Sequence, residues 1–354
     1  MQFGIAIPTA ADSWRLVRRA EELGFSHAWF FDTQMLNADP FVAMAAAAMQ
    51  TTRINLGTGV LIPSNRIAPV AANAFASLNK LAPGRIVFGI STGFTGRRTM
   101  GLGAVKLADM EEYIRIVQAL WRGETVEMEL EGKRRPIRMM NLELGLINVQ
   151  DPMPLFIAAS GPRARKLTAK LGAAWIDNVA DVERGTATLK QMRTAWSDAG
   201  HARDDLQAVA WLGGAVLEDG EPVDGPRGMA LAAPRASMLL HRAADTALAG
   251  YPTPLAMRPE FAAAAEAYVA HARSFNEPYY LSNHRGHLMF VRPDERPFIS
   301  AEMIRRTSFI GTLPDLTQRV GALADAGFTQ VVFSIPPGQE HAIEDWGRLR
   351  RAFR

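Results

Sequence analysis

Gly89-Ile90-Ser91-Thr92-Gly93 has the G-x-S-x-G spacing of a serine nucleophile, whose hydroxyl attacks a carbonyl while a following helix N-terminus supports the oxyanion. That chemistry needs a helix directly after the serine. The chain instead continues TGFTGRRTMGLGAVK, with glycines at 93, 96, 101 and 103, which reads as a loop of more than ten residues. Ser91 is therefore weighed against a second role, in which side-chain-poor backbone at a strand end lets a flat ligand approach closely. Thr58, Gly59 and Val60 have the same character, and close core packing explains them as well as a ring lying against the backbone. Ser160-Gly161-Pro162 is more specific. An apolar run ends there, Pro162 suits the first turn of a helix, and free backbone N–H groups beside Arg163 and Arg165 make an anion site. The helix dipole contributes only about 0.3–1 kcal/mol. Hydrogen bonds and arginine charge must carry most of that affinity.

Other candidates are less specific. Arg97 and Arg98 could hold an anionic substrate or a cofactor phosphate, or be a solvated loop. His284 and His287, spaced i, i+3 in NHRGH, offer acid–base or substrate-binding groups. Without a carboxylate ligand set nearby they make a weak metal signal, and no metal is expected. Asp32-Thr33-Gln34 and Asp177-Asn178 follow apolar runs, where polar residues either cap turns or face a pocket. There is no HExxH, no Walker motif and no GxGxxG after a strand.

The elements that must position these groups are legible from their punctuation. RRAEELGFSHAWFFD (18–32), KLTAKLGAAWID (166–177) and RVGALADAGFTQVVFSI (319–335) each read as an amphipathic helix, a glycine and a short apolar run. The runs have no period of two, as expected of strands covered on both faces. Eight such runs, at 3–7, 28–31, 54–60, 85–91, 155–159, 173–176, within 208–217, and 331–335, alternate with helical segments. That predicts an α/β fold, a closed (β/α)8 TIM barrel in a single domain over 1–354. Two insertions exceed a plain barrel: a β-hairpin in 124–150 turning at Gly132, and 218–308, between strands seven and eight. The second is expected to hold helices near 235–248 and 260–273 and to act as a lid over the mouth.

Composition narrows the class further. The 354 residues are 48% hydrophobic and 21% charged, with a formal net charge of +3 and arginines scattered through the helical segments. No nucleic-acid partner is expected from that pattern. The absence of cysteine excludes disulfides, thiolate metal sites and cysteine nucleophiles. MQFGIAIPTA has no basic region ahead of its apolar run, and no apolar run reaches about 18 residues, so a cytoplasmic protein without a membrane partner is expected.

The succession GFSHAWFFDTQML, TTRINLGTGVLIP, SLNKLAPGRIVFGISTGFTG, PLFIAASGPRARKLTAKLGAAWID and SFIGTLPDLTQRVGALADAGFTQVVF resembles the bacterial luciferase-like superfamily, closest to its methylenetetrahydromethanopterin-reductase-like branch. The resemblance implies a barrel that binds FMN, or the deazaflavin coenzyme F420 of the same shape, at its C-terminal mouth. It implies a non-prolyl cis peptide at Gly59-Val60, phosphate contacts at Ser160, Gly161 and Pro162 with Asp177 and Asn178 nearby, and a flavin wall at Thr58, Ser91, Thr92 and Gly93. Several deazaflavin-dependent relatives carry a histidine after strand two, where this chain reads Asp32-Thr33-Gln34, leaving Gln34 as a hydrogen-bonding substitute. Luciferase's reactive cysteine has no counterpart.

The expected activity is that of a flavin-dependent oxidoreductase, a two-component monooxygenase using FMNH2 from a separate NAD(P)H:flavin reductase. It would act on a small organic substrate through a C4a-hydroperoxide, with His284 or His287 as proton donor. The alternatives are an F420-dependent reductase or dehydrogenase, and, more distantly, a serine hydrolase using Ser91. A homo-oligomer, dimer or tetramer, is expected from the same resemblance.

Overall fold

A computed structural model describes residues 1–251 and 258–353. Eight parallel strands close into a barrel in chain order: β1 (Gln2–Ile7), β2 (His27–Phe30), β3 (Asn55–Thr58), β4 (Ile86–Ile90), β5 (Leu155–Ala158), β6 (Ala174–Asn178), β7 (Ala208–Leu212) and β8 (Gln330–Ser334). Closure is made by β8 on β1, in register from Gln2 opposite Gln330 to Ala6 opposite Ser334. The expected (β/α)8 fold is the one observed.

Alternation along the strands separates two cores. Ile5, Phe30, Leu56, Phe88, Ile157, Trp175 and Phe333 face outward and are buried under the helices. Ala6, Trp29, Val87, Phe156, Ile176, Val209, Trp211 and Val332 fill the interior. Trp29 is the plug. Its ring lies 5.9 Å from that of Trp211 and meets Phe156 edge-on at 5.2 Å. It fits because β3 offers Gly57, where a Cβ would come within 2.8 Å of the indole.

The run within 208–217 is two strands rather than one. After β7 the chain turns at Gly213, and Gly214–Leu217 leaves the barrel to pair in parallel with Phe309–Thr312. The 124–150 segment forms the hairpin Val126–Leu130 with Lys133–Ile137. Glu131 and Gly132 at its tip both have positive φ, as a tight two-residue turn requires. Segment 218–308 carries helices Pro226–Leu231, Ala233–Ala249, Ala262–Ala272, Tyr279–Asn283 and Ala301–Thr307. These pack around their own apolar centre, which includes Leu231, Leu240, Tyr268 and Met303. No helix among the described residues is long and apolar enough to cross a membrane.

Candidate active site at the barrel mouth

A cavity of about 830 Å³ opens where the strands end. Its barrel side is made by residues following β2 (Phe31, Asp32), β3 (Gly59, Val60, Ile62) and β4 (Ser91, Thr92, Gly93), with Ala158, Ser160, Gly161 and Pro162 after β5, Asn178 and Trp211. The 218–308 segment adds Met238, Arg242, Tyr251, His287 and Leu288. The volume lies in the range of small-molecule and cofactor sites.

The floor is the Gly59-Val60 bond, which is cis. A Cβ at position 59 would stand 2.7 Å from Trp211 Cη2 and 2.9 Å from Trp29 Cβ, so only glycine lets the backbone sit there. Thr58, expected in the flavin wall, is not in the cavity. It is one residue out of phase with the inward side chains, fully buried, and its hydroxyl donates to the Gly89 carbonyl at 2.6 Å. The same parity divides β6. Asn178 shares the inward face with Ile176, whereas Asp177 shares the outward face with Trp175 and accepts from the Thr188 hydroxyl at 2.7 Å.

Burial pushes the Asp177 carboxyl from an ordinary 3.8 up to about 6, against the hydrogen bond from Thr188 and the charges of Arg184 and Arg165. The folded chain therefore holds a proton that the unfolded chain has released, so stability falls as pH rises from about 4 through 6. The difference corresponds to about 3 kcal/mol. Asp177→Asn is expected to remove this part of the slope, read as a flatter melting temperature between pH 4 and 7 than that of the parent chain. Parallel slopes would show that the carboxyl is not perturbed.

Ser91 lies on the cavity wall, and its hydroxyl donates to the Ala158 carbonyl at 3.0 Å. A short helix, Phe94–Arg98, does follow, where the sequence reads as a loop; Gly93 at its start has φ 78°. Among the described residues no imidazole or carboxylate bonds Ser91, so nothing there activates a nucleophile.

At the other end of the cavity, helix Pro162–Lys170 begins at Gly161, where a Cβ would meet nothing within 4 Å. Arg163 lines this end, and Lys106 is also on the cavity wall. Arg165 does not: its guanidinium folds back onto the Ser160 carbonyl at 2.5 Å and Gln191 Oε1 at 2.7 Å.

The two arginines expected to hold an anion are committed elsewhere. Arg97 donates to the Gly103 carbonyl and does not line the cavity. Arg98 does, but its charge is met by Asp245 at 2.7 Å, and its guanidinium lies over the rings of Phe94 and Tyr251 at 4.1 and 4.0 Å. Arg242 also lines the cavity; among the described residues its Nε and Nη1 are buried without a hydrogen-bond partner, and its guanidinium stands 5.2 Å from the Phe94 ring. Burial, reinforced by Arg235, Arg184 and Arg98, pushes its pKa down to about 10. Sequence reasoning missed it because LLHRAAD carries no motif.

Gln34 also lies off the cavity wall. It accepts from Asn65 Nδ2 at 2.8 Å, and its Nε2 points at Met100 Sδ, 3.2 Å away. Asp32 is held by the Ile62 N–H and by Arg66. Of the two histidines, only His287 reaches the cavity, with Nε2 3.3 Å from Thr95 Oγ1. His284 sits behind it, Nε2 3.0 Å from Asp245 Oδ1. The fold adds His241, unforeseen from the sequence, and brings one nitrogen of each ring within 4.8 Å of the others.

A family model described as luciferase-like monooxygenase matches residues 2–330. The 5,10-methylenetetrahydromethanopterin reductase of Archaeoglobus fulgidus is 26% identical over 345 residues, 96% of this chain and 95% of that protein. The F420-dependent glucose-6-phosphate dehydrogenase of Beutenbergia cavernae is 39% identical, but over 140 residues, so the matched region spans 38% of this chain and only 40% of that relative. Among solved structures, the coenzyme F420-dependent tetrahydromethanopterin reductase of Methanopyrus kandleri superposes with a TM-score of 0.73 at 19% identity, covering 100% of this chain and 99% of that one. At that identity the likeness shows the fold alone.

Proposed function

The chain belongs to the luciferase-like monooxygenase family, and on that premise we propose that this oxidoreductase exchanges a hydride between coenzyme F420 and a small substrate at the barrel mouth. The expectation of a two-component monooxygenase using FMNH2 is corrected. Relatives matched in sequence include F420-dependent glucose-6-phosphate dehydrogenases and methylenetetrahydromethanopterin reductases, which favours the F420-dependent alternative. A hydride exchange of this kind does not call for a separate flavin reductase.

The observation that carries the reading is the polarity of the cavity. One end has the N-terminus of helix Pro162–Lys170 with Arg163, the middle is apolar backbone and aromatic wall, and Lys106 and Arg242 add positive charge to the lining. Such a site fits a planar ring with an anionic tail. When bound, the deazaflavin supplies a two-electron hydride acceptor or donor. The protein's own part is placement. Backbone at Gly59-Val60 would support the ring, Trp211, Phe31 and Ile62 would exclude water, and the N–H groups of Ser160, Gly161 and Arg163 would take the tail. Arg242, whose Nε and Nη1 lack a hydrogen-bond partner and which has three arginines nearby against the one carboxylate of Asp245, favours a substrate that brings an anionic group.

The test is a parallel titration of the purified protein with F420 and FMN, followed by fluorescence quenching. F420 is expected to bind at least about tenfold more tightly, and the F420-loaded protein to turn over without consuming oxygen. Tighter binding of FMN, with oxygen uptake on adding FMNH2, would reject the proposal.

A further inference from the structure

The trihistidine cluster between lid and cavity is built like a metal site, and we propose that His241, His284 and His287 together bind one late first-row divalent cation such as zinc. All three rings are buried, at 0%, 1% and 3% exposure, and one nitrogen of each lies within 4.8 Å of the others. The second nitrogens are anchored. His241 Nε2 meets Glu295 Oε1 at 2.5 Å, His284 Nε2 meets Asp245 Oδ1 at 3.0 Å, and His287 Nε2 meets Thr95 Oγ1 at 3.3 Å. Imidazoles held by carboxylates or hydroxyls on their far side are oriented as metal ligands are, with the lone pair of the near nitrogen left for the ion.

A second, independent observation is an orphan. Nδ1 of His284 is buried and has no hydrogen-bond partner. The Nδ1 atoms of His241 and His287 are 2.7 Å apart, a separation that an N–H···N hydrogen bond between them accounts for. A shared proton satisfies that pair but leaves His284 unpartnered, whereas one cation satisfies all three. Two nitrogens on a tetrahedral zinc stand about 3.3 Å apart, so loading would open the short contact by about 0.6 Å.

Asp245 and Glu295 are fully buried behind the rings, and each is already paired with an arginine, Arg98 at 2.7 Å and Arg292 at 2.8 Å. Arg242 adds a further positive charge, so the imidazoles and not the local charge would hold the ion, and a bound dication would draw in an anionic co-ligand from the cavity. Only His287 of the three lines the cavity, which is the route by which an ion would enter.

The inference is independent of which coenzyme binds, because its readout is metal content. The full-length protein, purified without chelator and dialysed, is assayed by elemental mass spectrometry, then stripped and titrated with Zn²⁺ and with Co²⁺. About one ion per chain and a tetrahedral Co²⁺ visible spectrum are expected. His284→Gln, checked for folding by circular dichroism, should weaken Zn²⁺ binding at least about 100-fold, and Glu295→Gln about 10–100-fold. Failure of the parent chain to bind Zn²⁺ stoichiometrically would overturn the proposal in favour of a proton-sharing pair. Retention of the ion by a folded triple histidine-to-glutamine variant would overturn it by placing the metal elsewhere.

Discussion

Asp245→Ala is expected to lower stability by about 3–5 kcal/mol, the usual cost of leaving a buried charge without its partner. Asp245 lies on helix Ala233–Ala249 of the 218–308 segment and is fully buried. It meets Arg98 of the short helix after β4 at 2.7 Å, His284 Nε2 at 3.0 Å and the Tyr279 hydroxyl at 3.3 Å. One carboxylate thus ties the barrel mouth to two parts of the 218–308 segment. Arg98 is itself only 3% exposed, so without Asp245 its charge stays in a poorly solvated place, with the Phe94 and Tyr251 rings as its remaining support. Those contacts replace little of an ion pair, since a cation–π contact contributes about 0.5–2 kcal/mol. At roughly 2–4 °C per kcal/mol for chains somewhat shorter than this one, the melting temperature should fall by roughly 10 °C. Arg98→Met/Asp245→Leu removes both charges and should recover much of the loss, because the penalty belongs to the unpaired ion and not to the missing pair. Equal losses in the single and double variants would show that the ion pair is not the source.

Gly89→Ala should be more damaging still, although it adds one methyl group. A Cβ there would stand 2.1 Å from the Thr58 backbone oxygen and 3.0 Å from the Trp29 ring. Neither can move away cheaply. The Thr58 oxygen belongs to strand β3, whose backbone is fixed by pairing on both sides, and Trp29 plugs the interior against Trp211 and Phe156. Overpacking of this kind costs about 3 kcal/mol or more when the neighbour is backbone. The expected outcome is a chain recovered mainly insoluble, or one whose denaturation midpoint drops sharply. Gly161→Ala is the control: nothing lies within 4 Å of its Cβ, so a change of no more than about 0.5 kcal/mol is expected. A soluble Gly89→Ala protein with the parent midpoint would mean that β3 and β4 sit farther apart than described here.

The barrel was readable before any coordinates because its signal is local and repeated. A helix, a glycine at its end and a short buried run recur, and each run needs cover on both faces. The glycine-bared floor at Gly59 and the rim at Ser91 to Gly93 were readable for the same reason, since strand ends of a barrel face one mouth. Phase was harder. Thr58 and Asp177 lie one residue from wall positions, and a one-residue difference turns a side chain from the cavity to the helix layer. The breaks in short, fully buried runs give no alternation from which that phase could be read.

What the amino-acid order determined by itself, then, is the architecture, the barrel mouth and the glycine backbone that floors its cavity, because these follow from hydrophobic period and from glycine and proline punctuation. What only the tertiary structure decided is which polar groups are spent and which are free. Arg97 and Arg98 are consumed by Gly103 and Asp245, Arg242 keeps Nε and Nη1 without a hydrogen-bond partner among the described residues, and His241 joins His284 and His287 across more than forty residues of chain. A hydrogen bond or ion pair forms with whatever partner the fold brings within about 3 Å, and nothing in the local order of residues encodes that distance.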